Sequence, residues 1–294
     1  MSGPGRAMIV GGAGFIGSHL AERLLGEGWA VDVVDDLSTG SLAHLAVARA
    51  TAGSLTIHHL DATGPQFGQL VERRRPDVIV NLAAFTGSDT ESLQHSFTLV
   101  TSTIEAARTG GVAKVVLTVP AVELYGPAAA KEVPLKEARG FQPDDAVGVT
   151  AVAALNLLEV ARSRDSLEFT VLALADVYGP RQRPERDPVA AACQGRPLER
   201  TLDLVHVDDV AEALLKATAR GGGLLVNVGS GEPVTAAELA RIAGHDPVAV
   251  ALRPRRFALS PIRARIHLSW APWTPLAEGV LSGTDPRRPD APTR

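Results

Sequence analysis

Residues 11–17 read Gly-Gly-Ala-Gly-Phe-Ile-Gly, directly after an apolar run and at the start of a helical pattern. The chemistry open to such a segment is anion binding by the main chain. A tight glycine turn brings N–H groups against a pyrophosphate at a helix N-terminus, where side chains would hold the phosphates away. Asp35 follows 18 residues after Gly17, at the end of the second apolar run. There a carboxylate can accept hydrogen bonds from an adenosine ribose. Gly11, Gly14, Gly17 and Asp35 together point to a dinucleotide site. No Arg stands directly after Asp35, and its carboxylate would repel a 2′-phosphate, so NAD is expected over NADP. Asp61, after the third apolar run, could accept from the adenine amino group or cap its own loop.

Groups able to move a proton are few. The 294 residues hold two tyrosines, Tyr125 and Tyr178, and four lysines, Lys114, Lys131, Lys136 and Lys216, although Lys and Arg together number 29. Both tyrosines fall in Tyr-Gly-Pro turns, which suit a pocket wall as well as catalysis. His206 precedes Asp208, the expected N-cap of a helix, and reads as a loop histidine. His58 and His59 end a strand with no carboxylate at metal spacing, and one cysteine, Cys193, gives neither a disulfide framework nor a metal cluster. No metal is therefore expected. Arg253, Arg255 and Arg256 could receive an anionic substrate or form a solvated basic turn. Asp144 and Asp145 precede a helical pattern, where the helix dipole favours negative charge.

The elements that must position these groups alternate. Strand-like runs at Ala7–Val10, Ala30–Val34, Leu55–His59, Val78–Asn81, Lys114–Thr118 and Glu168–Leu174 are rich in Val, Ile and Leu, as strands buried on both faces are. Helical patterns lie between them at Phe15–Leu25, Gln66–Arg75, Ser92–Thr109 and Ala146–Arg162. The order predicts a doubly wound α/β fold with a parallel sheet. After about Ala175 the texture changes to Pro- and Arg-rich loops, short helices (Pro188–Gln194, Asp208–Thr218, Ala236–Ala243) and strands near Leu224–Val228 and Val248–Leu252. Residues 1–175 are expected to form the dinucleotide-binding domain and 176–294 mainly a smaller substrate domain, with segments near 203–228 returning to the first. A formal charge of -4 gives no reason to expect nucleic acid or an anionic membrane as partner. No apolar run approaches the ~20 residues that span a bilayer. A lone cysteine and the lack of a secretory start point to the cytoplasm and a small-molecule substrate.

Gly11-Gly-Ala-Gly-Phe-Ile-Gly-Ser-His-Leu, Val34-Asp-Asp-Leu-Ser-Thr-Gly, Asn81-Leu-Ala-Ala, Leu124-Tyr-Gly-Pro, Val177-Tyr-Gly-Pro-Arg-Gln, His206-Val-Asp-Asp-Val-Ala-Glu-Ala and Val226-Asn-Val-Gly-Ser-Gly resemble the extended short-chain dehydrogenase/reductase family, which includes nucleotide-sugar epimerases and 4,6-dehydratases. The resemblance runs from about residue 7 to about residue 280. It implies a Rossmann domain holding NAD and a C-terminal domain holding a nucleotide-linked sugar. It extends the cofactor site to Phe15, Ile16, Asp36, Ala62, Leu82, Ala83 and Ala84. It also implies a homodimer built on a helix pair corresponding to Ser92–Thr109 and Ala146–Arg162.

The family's hydride chemistry uses a Tyr-x-x-x-Lys pair, whose Lys lowers the Tyr pKa from one helical turn away, with a Ser or Thr as third partner. The matching positions here are Val147, Ala151 and Ala121, none of which can move a proton. The Asn usually found before Val-Tyr-Gly-Pro is Asp176, and the Arg usually found before the His-Val-Asp-Asp segment is Leu202. The first adds negative charge where a diphosphate would lie, and the second removes a bidentate phosphate donor. Glu123 falls on the Glu that is the base of the 4,6-dehydratases. Three readings stand. The chain is an enzyme that performs elimination, epimerisation or cyclisation on a pre-activated, possibly sugar-derived metabolite, with Glu123, Asp176 and Tyr125 as the candidate groups. Alternatively it is a non-catalytic ligand-binding or partner subunit, or an NAD-dependent epimerase or dehydratase using displaced residues.

Overall fold

The computed structural model describes residues 4–183, 188–248 and 254–283. Among the described residues the strands are β1 (Arg6–Val10), β2 (Ala30–Asp35), β3 (Leu55–His59), β4 (Val78–Asn81), β5 (Lys114–Pro120), β6 (Glu168–Leu174), β7 (Asp176–Tyr178), β8 (Leu202–His206), β9 (Leu224–Val228) and β10 (Pro233–Val234). The helices are α1 (Phe15–Gly26), α2 (Ala46–Ala50), α3 (Pro65–Arg74), α4 (Thr90–Gly110), α5 (Ala121–Tyr125), α6 (Ala146–Asp165), α7 (Pro188–Cys193), α8 (Val207–Ala219), α9 (Ala236–Ile242), α10 (Ile262–His267) and α11 (Leu276–Gly283).

A seven-stranded parallel sheet runs in the order β3-β2-β1-β4-β5-β6-β9. Its strands are apolar almost without interruption because helices cover both faces. Val78, Ile79 and Val80 are all at most 1% exposed, and full burial of such a side chain contributes about 1.5–3 kcal/mol. From β1 the chain builds outward to β3, then crosses back to β4 on the other side of β1. That reversal leaves a crevice beyond the carboxyl ends of β1 and β4, where open α/β sheets bind ligands.

A second, three-stranded sheet has the order β10-β8-β7. Tyr178, Leu202, Leu204, Val189, Leu239 and Val280 form a separate small core around it. The chain then returns to the large sheet, with α8 packed on α1 and β9 paired with β6. Residues 202–206 remain in the small sheet as β8. Residues 249–252 of the expected strand near Val248–Leu252, and the Thr284–Arg294 tail, lie outside the described residues. Two short elements escape periodicity reasoning: β7 follows β6 after one residue, and α5 is a single turn.

Caps fix the longer helices. Asp89 accepts from Ser92 N (3.0 Å) to start α4, and Gly111 ends it at φ +68°, a left-handed position natural to glycine. Asp145 does more than place charge at the α6 dipole: its Oδ1 accepts from Gly148 N (2.8 Å), so it is the N-cap. At the start of α8 the cap is His206, whose Nδ1 accepts from Asp208 N (3.3 Å), and not the expected Asp208. α6 is 20 residues long with a mean hydropathy of 1.3 over its most apolar window, which reaches the span length that the sequence runs did not. Its small face (Val147, Gly148, Ala151, Ala154) is buried in the protein.

Candidate functional site

A cavity of about 740 Å³ opens at the crevice between the carboxyl ends of β1 and β4. One end is made by the glycine loop. Gly11 has φ +79°, a conformation L side chains rarely adopt, and its N–H donates to Val34 O (2.8 Å). At Gly17 a Cβ would lie 2.2 Å from Gly11 O and 2.7 Å from Gly12 Cα, so any larger residue would force the loop off the helix. α1 begins without a side-chain cap and without an acidic residue in its first turn. Its first N–H groups are therefore directed to whatever enters the cleft, and the dipole favours an anion there. These features fit a dinucleotide pyrophosphate.

Asp35 is 7% exposed and lies at the end of β2. Its Oδ2 accepts from Ala13 N (2.8 Å) and its Oδ1 from Leu37 N (2.9 Å), which aims the carboxylate along the cavity wall. Asp61 accepts from Thr63 N (2.8 Å), so it both shapes its loop and lines the cavity. Every other residue expected at the cofactor lines this cavity as well, except Ala84, which is 7% exposed and belongs to the hydrophobic core. Sequence reasoning missed part of the wall. Ser38, Thr39, His44 and His95 line it, and Arg181, Gln182 and Arg183 reach it from the far side of the chain.

The residues expected to do chemistry separate into different environments. Glu123 is half-buried in α5, directly after β5. Burial raises its carboxyl above the ordinary carboxylate range. Asp145 and Asp176 push the same way, opposed by its own backbone N–H and by Arg200. A carboxyl so placed can hold a proton or take one. Gly148 of α6 sits against the Glu123 main-chain carbonyl, since a Cβ there would lie 2.1 Å from Glu123 O. Val147 is 7% exposed, while Ala121 and Ala151 are fully buried. Ala121 on α5 and Ala151 on α6 belong to the main hydrophobic core, and all three positions are buried and apolar.

Asp176 is not placed to exchange protons. Its carboxylate takes Arg200 Nη1 on Oδ2 (2.8 Å) and Nη2 on Oδ1 (2.7 Å), and Oδ2 also accepts from Asp203 N (3.0 Å). A bidentate guanidinium and a backbone donor thus occupy both carboxylate oxygens. The negative charge expected there is therefore matched inside the protein. Arg200 also stands over the Phe257 ring, 5.4 Å from its centroid. The family resemblance implies an arginine at 202, where Leu202 is fully buried, whereas the arginine here is Arg200, two residues earlier.

Tyr125 also leaves the list of proton carriers. Its ring is fully buried and its hydroxyl donates to Asn227 Oδ1 (2.7 Å). Burial holds that proton far more tightly than in a free tyrosine, with Glu137 acting in the same direction. Tyr178 packs edge-on against His206 with ring centroids 5.3 Å apart, and burial pushes its hydroxyl up to about 12. His58 does find a carboxylate, Asp32 (2.9 Å), but in a cluster with Arg6 and Arg74 that no metal geometry fits. Among the described residues no group of three His, Cys, Asp or Glu could hold a metal ion. Arg255 and Arg256 are exposed, and Arg253 lies outside the described residues.

Comparison with known proteins agrees with this geometry. The model of the NAD dependent epimerase/dehydratase family matches residues 7–229. The UDP-glucose 4-epimerase of Mycolicibacterium smegmatis is 32% identical over 305 residues, covering 94% of this chain and 96% of its own. Among solved structures, the UDP-glucose 4-epimerase of Thermotoga maritima with UDP-glucose superposes with a TM-score of 0.83 at 28% identity, covering 95% of this chain and 97% of its own. The UDP-glucose 4-epimerase of Thermus thermophilus in complex with NAD gives 0.80 at 28% identity, covering 95% and 98%.

Proposed function

Since the chain belongs to the NAD dependent epimerase/dehydratase family, we propose that it binds NAD and moves a proton on a pre-activated, sugar-derived small molecule, with Glu123 as acid and base. Glu123 supports the reading: it is half-buried in the turn directly after the carboxyl end of β5, its carboxyl is raised above the ordinary carboxylate range, and among the described residues no guanidinium grips it as Arg200 grips Asp176. NAD supplies a hydride acceptor and a cationic ring in this family's chemistry. The chain's own part is to seat the pyrophosphate on Gly11–Gly17 and the α1 N-terminus, to orient the ribose on Asp35, and to keep water from the buried apolar positions Val147, Ala151 and Ala121. With those three positions inert, elimination, epimerisation or cyclisation at an already acidic C–H suits the site better than oxidation of a hydroxyl. UDP-linked sugars are the first substrates to try, given what the Mycolicibacterium and Thermotoga relatives are named for.

The protein is proposed to work as a cytoplasmic homodimer. Phe97 on α4 and Val149 and Val160 on α6 are 42%, 58% and 47% exposed, on the helix pair named for dimerisation. The Arg200–Asp176 closure favours one second reading, a ligand-binding subunit without turnover, because it occupies Arg200, an arginine whose charge acts on Glu123. The deciding experiment incubates wild type and Glu123→Gln with NAD and a panel of UDP-sugars, and follows products by mass spectrometry. Turnover that falls at least about 100-fold in the variant supports the enzyme; turnover that the variant leaves intact removes Glu123 from the mechanism.

A further inference from the structure

The segment 179–183 leaves β7 of the small sheet and lies across the dinucleotide cleft. Its base is pinned to α1, the helix that starts at the glycine loop. Arg181 Nη1 meets Glu22 Oε1 (2.6 Å) and Ser18 Oγ (3.1 Å), and its side chain is 4% exposed. His19 Nε2 lies 3.2 Å from Pro180 O while its Nδ1 lies 2.7 Å from Asp208. Gln182 Nε2 donates back to Val177 O (2.8 Å) and closes the turn. Arg181 holds φ +69°, a strained value for a non-glycine residue that persists where the surroundings enforce it.

The tip behaves differently. Arg183 is exposed and reaches the β2 loop, where its guanidinium donates to Thr39 O. Arg183 and Thr39 both line the cofactor cavity. A carbonyl is a neutral acceptor, so the Arg183 charge stays available to a phosphate-bearing ligand beneath it. The base is over-determined, whereas Arg183 is held, among the described residues, by one charge-assisted hydrogen bond.

Resting on the NAD reading above, we propose that residues 179–183 form a clasp across the dinucleotide cleft, that Arg183 is its latch on Thr39, and that its opening sets how fast the cofactor leaves. The test measures release, not turnover. Wild type, Arg183→Ala, Arg183→Lys and Arg196→Ala are loaded with NADH and mixed with excess NAD, and NADH fluorescence follows its escape. Loss of one hydrogen bond from a charged group should speed release about tenfold in Arg183→Ala, with Arg183→Lys intermediate and Arg196→Ala, an exposed arginine outside the cavity, unchanged. Equal release from loaded wild type and Arg183→Ala overturns the clasp, as does an equal acceleration in Arg196→Ala. If wild type takes up no NADH, the cofactor reading falls at the loading step and the clasp with it.

Discussion

Arg200 grips Asp176 through two parallel hydrogen bonds of 2.7 and 2.8 Å, with the Asp176 side chain 6% exposed and that of Arg200 20%. Removing one partner of such a pair leaves the other charge buried and alone. Asp176→Leu is therefore expected to cost about 3 kcal/mol of stability, and the Asp176→Leu/Arg200→Met double variant clearly less than the sum of its single changes. Urea unfolding of the four proteins measures this; additive losses would show that the pair is not coupled.

The glycine loop carries a second prediction. Gly17→Ala places a methyl 2.2 Å from Gly11 O, so the turn must open where main-chain donors face the ligand. Dinucleotide affinity should fall at least tenfold by calorimetric titration. The far-UV spectrum should stay native, because the change falls in the first turn of α1 and leaves the strand before the loop and the rest of the helix in place. Unchanged affinity would mean that the loop does not seat the pyrophosphate.

These two sites also mark how far the sequence could be read. The loop was legible because its chemistry is local: glycines, a strand before, a helix after, and Asp35 one strand later all lie within 35 residues. The parallel sheet was legible for a similar reason, since burial on both faces makes each strand apolar throughout. Arg200 was not, because its partner lies 24 residues away on another strand and nothing in residue spacing says that β7 and β8 pair. Arg181 and Arg183 escaped likewise, as their contacts to Glu22 and Thr39 span the two lobes of the molecule. Tyr125 looked available for proton transfer until burial and Asn227 accounted for its hydroxyl.

The exposed apolar face of α4 and α6 yields a third expectation. Phe97, Val149 and Val160 stand in water in the isolated chain, and charge placed among them should keep copies apart without touching the core. Wild type should elute as a dimer in light-scattering chromatography, and Val149→Glu should elute as a monomer at the same concentration. A monomeric wild type would rule out this face as a self-association surface.

Glu123 has a pH signature separate from catalysis. Its folded pKa is raised above the unfolded value, chiefly by burial. Between those two pKa values the native state binds more protons than the unfolded chain, so this group's contribution to stability falls as pH rises through that window. The favourable part is fully present below the unfolded carboxylate pKa and lost above the folded one. Glu123→Gln keeps the shape and removes the ionisation. The variant should therefore be more stable than wild type at pH 7, and that advantage should vanish below about pH 4, where both side chains are neutral. Thermal unfolding of the two proteins across this range reads the difference directly. A gain that persists unchanged in acid would assign it to packing instead, and would leave Glu123 without the raised pKa on which its proposed role as acid and base depends.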